Sequence, residues 1–451
     1  MRRLTGILLT VLGAVVLAGA MTATVLVLRS RDDEPHPTAF DLLGTADPRA
    51  VTDEVISFFE GRVQRDPVDY LSYTKLGEAY IRQGRETGDI TAYQRAEVSF
   101  SRALEISRDD PIARAGLATA LYSMHDFQKA LSIAERVYAE DPSATQALAL
   151  IGDANLALGN YPEAYRAYGQ LSEEASGPSV LSRLAYLDEL RGNRDRAIDI
   201  MAKAEEAAVK ARRSPGTIAF YRLQLGALYF GGGRYDSAEQ WYQAALDVFP
   251  GYYQTLAGLG NVEAARGHFD KAIDYYTRSV AAVPEPSVLA ALGDAYMRTG
   301  DAKSAQEQYD TVEFIGELAS INKAVYNREL VLYYADHDIE TGKAVELAVA
   351  ELDVRKDVFG YDAAAWALYR DGRTAEAAPL MEQALRLGTN DARMLFHAGM
   401  IASALGRKQE AGVYLERALD LNPHFSVLQE PVARQALAEI RASDSLAQAE
   451  E

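Results

Sequence analysis

The sequence predicts an all-α solenoid of about ten helix-turn-helix repeats, preceded by one membrane-spanning helix. Three observations predict the solenoid. Residues 219–284 read as two lines that superpose at an offset of 34 residues, with Leu225-Gly226 on Leu259-Gly260, Ala238 on Ala272, Tyr242 on Tyr276 and Pro250 on Pro284. An alanine paces the chain as Ala96, Ala130, Ala164, Ala197, Ala238, Ala272, Ala305, Ala344, Ala377 and Ala411, most steps being 33 or 34 residues. Twelve residues before it stands a glycine in several repeats, at Gly152, Gly226, Gly260, Gly293 and Gly399, while Gly77 is displaced by a further seven residues.

The residue types suit a pair of antiparallel helices. Gly226 and Ala238 are small where the two helices cross, and Leu225, Tyr229 and Tyr242 fill the space beside that crossing. Ala245 is small because the next repeat leans on it, so one repeat cannot bury its apolar face without a neighbour. Pro250 stops the second helix. The residues 231–236, GGGRYD, make the turn.

Ahead of the repeats, residues 1–3 (MRR) precede an uncharged run over 4–28 that ends before Arg29 and Arg31. The run is long enough to cross a bilayer core of about 30 Å. A cleavable signal ending at Ala18-Gly19-Ala20 is the competing reading and would leave an exported soluble protein. The apolar run continues through residues 25–28, past any such cut, as an anchor would. The flanking arginines lean toward an amino end inside, which puts the repeats outside the cytoplasm. Residues 29–46, with Pro35 and Pro37, read as a polar tether. Residues 47–65 read as a capping helix, 66–423 as the array, and 424–451 as a closing helix and tail. The stretch 82–93 reads as a lengthened turn in the first repeat. The long intervals Ala197 to Ala238 and Ala305 to Ala344 read as ordinary insertions in tolerant loops or, alternatively, as joints, the repeat around 320–357 being degenerate. In the first, the second helix is expected to run on until Ser214-Pro215-Gly216 breaks it.

The period, the Leu-Gly, the alanine, the aromatic four residues on and the closing Pro together resemble the tetratricopeptide repeat. Residues 50–440 also look like a group of bacterial membrane-associated or exported proteins of that kind. The resemblance implies a right-handed superhelix whose first helices line a concave face. Carried over by position, Glu78, Asp153, Asn261, Asp294, Trp366 and Tyr369 would face a protein or extended peptide there. The acidic members suggest a basic or amphipathic segment, and Trp366 with Tyr369 an aromatic shelf; the competing reading is that the acidic residues are solvated faces and that Trp366 packs between helices. The Lys and Asn pair of carboxylate-clamp repeats is missing, which disfavours a C-terminal tail as partner. The implied work is a non-catalytic, membrane-tethered scaffold for protein–protein interaction, or an envelope assembly or secretion accessory that holds client chains; a structural spacer and an enzyme with an unrecognised site are the remaining alternatives.

Composition narrows the alternatives. A net charge of −19 argues against nucleic acid as partner. With no Cys, disulfides, thiolate metal sites and cysteine nucleophiles are excluded. The six His residues are scattered without metal-binding spacing. Gly231-Gly232-Gly233 lacks the Lys-Ser/Thr of a phosphate loop, and Ser320-x-x-Lys323 has no companion motif. No cofactor or small-molecule substrate is expected.

Overall fold

The computed structural model describes residues 48–322 and 327–450, with side chains described over 50–318 and 328–443. The expected membrane segment (4–28) and tether (29–46) lie outside the described residues. Among the described residues no helix is long and apolar enough to cross a membrane.

Twenty-two helices and no strand make up the described chain. Helix α1 (Pro48–Arg65) is followed by ten hairpins. The first five are α2 (Tyr70–Thr87) with α3 (Ile90–Ile106), α4 (Pro111–Ser123) with α5 (Phe127–Glu140), α6 (Thr145–Ala157) with α7 (Tyr161–Glu174), α8 (Pro178–Leu190) with α9 (Arg194–Lys210), and α10 (Pro215–Gly231) with α11 (Tyr235–Val248). The second five are α12 (Tyr253–Ala265) with α13 (Phe269–Ala282), α14 (Pro286–Thr299) with α15 (Ala302–Asn322), α16 (Asn327–His337) with α17 (Thr341–Val354), α18 (Val358–Arg370) with α19 (Thr374–Leu385), and α20 (Ala392–Ala404) with α21 (Lys408–Leu421). Helix α22 (Gln429–Glu450) follows the last hairpin.

Helix starts follow local chemistry. Asp69, Asp89, Asp110 and Asp126 each cap a helix by accepting a backbone N–H from its first turn. Pro111, Pro178, Pro215 and Pro286 occupy first-turn positions where the missing N–H costs nothing.

All ten pacing alanines are fully buried at 0 % exposure. The glycines sit under aromatic rings of the second helices. A Cβ at Gly152, Gly226, Gly260 or Gly293 would stand 2.2–2.4 Å from Tyr168, Tyr242, Tyr276 or Tyr309 respectively. Phe100 covers Gly77 in the same way and also lies on Gly116 of the following repeat, tying the two together.

Two irregular stretches resolve differently from one another. The extra residues near 82–93 do not lengthen a turn. They extend α2 and α3 by about a helical turn, leaving only Gly88 and Asp89 between them. Between Ala197 and Ala238 the expectation holds: α9 runs to Lys210, and Ser214 caps the next helix with Pro215 in its first turn.

The array does not stay open. The turn within each of the first five hairpins reaches the following coil of the chain, making a seam of five rungs numbered here from the amino end. In rung one, Gly88 lies against Val283 and the Tyr253 hydroxyl. In rung two, Arg355 donates to His125 Nε2 at 2.7 Å. Rung three has Lys356 N–H on the Ala157 carbonyl at 2.9 Å and Val358 N–H on the Tyr161 hydroxyl at 2.8 Å. Rung four has the Thr389 hydroxyl on the Leu190 carbonyl at 2.7 Å and Arg194 on the Asn390 carbonyl at 2.6 Å. In rung five, Asn422 donates to the Phe230 carbonyl at 2.9 Å and accepts from the Tyr235 hydroxyl.

Candidate functional site

Closing the coil turns its inner face into a cavity of about 2460 Å³. The first helices of the early hairpins form one wall through Glu78, Ile81, Thr119, Tyr122, Ala149, Asp153, Arg183, Tyr186, Phe220 and Gln224. The opposite wall is made of turns and helix starts: Tyr252, Tyr253, Val283, Glu285, Arg328, Glu329, Arg355 and Asp357. No periodic signal marks this second wall, because its residues belong to connections rather than to the repeated helix positions.

The six residues read from the sequence are not brought together. Glu78 and Asp153 line the cavity; Asn261, Asp294, Trp366 and Tyr369 do not. Glu78 is exposed and pairs with Lys75 one turn away at 2.8 Å. Asp153 receives Arg183 through both carboxylate oxygens, at 2.8 and 2.6 Å, and the Tyr168 hydroxyl at 2.6 Å. Asn261 accepts from Tyr276 at 2.7 Å, and Asp294 from Tyr309 at 2.8 Å and from His337 at 2.8 Å. The three residues Asp153, Asn261 and Asp294 therefore share one local task. Each receives the hydroxyl of the tyrosine whose ring packs on the glycine just before it, fifteen residues on in every case. Trp366 is only 2 % exposed; its indole N–H donates to Asp336 at 2.8 Å and its ring stacks on His397 at 4.2 Å. Tyr369 stacks on Trp366 within the same cluster. Instead of an open shelf, this pair forms part of the packing under α22, where Gln429 also reaches Asp336 at 2.6 Å.

The wall carries seven acidic side chains and seven arginines, so it lacks the acidic bias of the whole chain. Much of that charge is matched internally. Arg328 meets Asp357 at 2.7 Å and Glu351 at 3.5 Å, and Arg355 meets Glu351 at 3.6 Å. Burial pushes the Glu351 carboxyl above its ordinary range, although both arginines oppose the shift. Burial and the neighbouring Arg355 hold His125 down to about 3, so it is neutral and accepts the Arg355 N–H. Glu285 is raised to about 7, first by burial and then by the adjacent Glu329. No group of His, Cys, Asp and Glu that could hold a metal ion occurs among the described residues.

Comparison with known proteins gives a consistent family. A model described as tetratricopeptide repeat matches residues 222–285, and a second of the same description matches residues 116–180, 257–316 and 363–424. The TPR repeat-containing protein YpiA of Bacillus subtilis is 25% identical over 290 residues, covering 60% of this chain and 66% of that protein. Protein O-mannosyl-transferase TMTC1 of Homo sapiens is 25% identical over 242 residues, covering 49% of this chain and 26% of that protein. The chain thus spans about a quarter of the human relative's length and just under two thirds of the bacterial one's. Among solved structures, yeast Tom70 is 13% identical with a TM-score of 0.33, covering 83% of this chain and 96% of that one.

Proposed function

Because this chain belongs to the tetratricopeptide-repeat family, we propose that it is a scaffold that binds an extended segment of another protein inside its coil and performs no covalent chemistry. The cavity carries this reading. At about 2460 Å³ it exceeds the roughly 300–1,000 Å³ of small-molecule pockets. Its wall alternates aromatic surface at Tyr122, Tyr186 and Phe220 with carboxylates, which suits an amphipathic segment. A basic side chain of that segment would sit by Glu285 and Glu329, where it would favour the ionised form that burial disfavours. Of the residues read from the sequence, Glu78 would serve the rim, and Asp153 would act by holding Arg183 in place. The uncharged run 4–28 would tether the scaffold to a membrane with the repeats outside the cytoplasm.

The test is site-specific photocrosslinking of the full chain in its native membranes. Probes replace Tyr186 or Phe220 on the wall and, as a control, Val98, which is 68 % exposed and does not border the cavity. A small, reproducible set of proteins captured from both inner positions and not from the control is expected. The same captures from Val98, or none from the wall, would overturn the reading. In parallel, deleting residues 4–28 is expected to release the protein from membranes.

A further inference from the structure

The walls of the coil and its seam are built differently. Successive helices pack along their lengths over buried alanines and over tyrosine rings seated on glycines. Across the seam no two helices pack along their lengths; turns meet turns, through one or two hydrogen bonds in each of rungs two to five, the Arg355–Phe127 and Arg386–Tyr161 ring contacts and a local apolar contact around Tyr161 and Val358. The thinnest closure of a cooperative structure is the part that opens first. Residues of rungs one to three, among them Tyr253, Val283, His125, Tyr161 and Arg355, also border the cavity. Parting the seam would therefore uncover the cavity along its side.

We propose that the seam is a clasp, which parts to let a polypeptide segment pass sideways into the cavity and closes behind it. A segment flanked by folded domains could not thread in from an end, and lateral entry needs no free terminus. The opening itself is independent of what is bound; only the loading step rests on the binding reading above.

The native chain has no Cys, so two introduced thiols are the only ones present. Asp195→Cys and Asp420→Cys stand at exposed positions on opposite sides of a recess of about 640 Å³ between rungs four and five. With spin labels there, dipolar spectroscopy on the full chain is expected to show one dominant short separation. Adding Thr389→Val with Asn422→Ala should populate a longer separation, the open fraction rising roughly fivefold for each hydrogen bond removed. Circular dichroism should show unchanged helix content; if it falls, Tyr235→Phe, which removes a single hydroxyl from rung five, replaces the pair. A bis-maleimide staple between the two thiols is then expected to slow association of a fluorescein-tagged peptide rich in lysine and leucine, carried between two folded domains that bar threading from an end, by at least about tenfold, whereas the rung variants speed it. No longer separation in the rung variants, or an association rate indifferent to the staple, would overturn the clasp. Failure of the peptide to bind any form would count against the binding reading, and the label distances would still decide whether the seam opens.

Discussion

Asp153 is matched on three sides within the fold, by Tyr168 and by both ends of the Arg183 fork. Removing it strands a largely buried guanidinium and a buried hydroxyl, so Asp153→Ala is expected to cost about 2–3 kcal/mol in urea unfolding. Glu78→Ala breaks only an exposed pair with Lys75 and should stay within about 0.5 kcal/mol. A charge-reversal test of the inner face should therefore start at Glu78, where a lost partner cannot be confused with a lost fold. Glu285 makes the opposite electrostatic case. Its carboxyl is raised to about 7 by burial and by Glu329, so the folded protein holds a proton that the unfolded chain gives up near 4.5. Stability from this group is present below the unfolded value and is lost as pH rises through about 7. Glu285→Gln should accordingly raise the melting temperature at pH 8, where the relief is roughly 3 kcal/mol, and change little at pH 4. Equal effects at both pH values would mean that the carboxyl titrates normally.

Matched helices and turns carry very different duties, which is where reading by period stops. Gly192 and Gly267 both sit in turns between paired helices with a left-handed φ of +77°. Around Gly267 there is open space, whereas a Cβ on Gly192 would stand 2.6 Å from the Gly388 carbonyl oxygen across the seam. Gly267→Ala should cost about 1 kcal/mol for the backbone conformation alone. Gly192→Ala should cost roughly 1–2 kcal/mol more, because rung four must shift, and thermal melts of the two variants measure the difference. In sequence the two glycines look alike, since each satisfies the same turn. The helix-crossing alanines and the Gly-on-Tyr pairs were legible because both partners recur in one repeat. Trp366 and Tyr369 were misleading for the converse reason. Their register matches an inner-face position, but α22 brings Gln429 to Asp336 and closes the cluster from outside the repeat pattern.

Across the whole molecule, the fold class follows from local periodicity, but the closed coil depends on summing small rotations over several hairpins, two of them irregular. No residue pattern records that sum, so the second wall of the cavity and the seam were invisible in the sequence. An open array couples each repeat only to its neighbours. Rungs joining residues 197, 199 and 192 positions apart add coupling that skips those neighbours. Tyr161→Phe measures it. The substitution leaves the ring in place and takes the acceptor from the buried Val358 N–H, weakening rung three alone. In a chain of nearest-neighbour contacts, faster amide exchange would be confined to the segment around 353–358. In a coil closed by a cooperative seam, segments 386–391 and 420–424 should also exchange about tenfold faster, while the middle of α12 and α13 stays unchanged. Exchange that quickens only beside Val358 would show that the rungs act singly. The cavity would then be bounded by independent contacts rather than by one closure that opens as a unit.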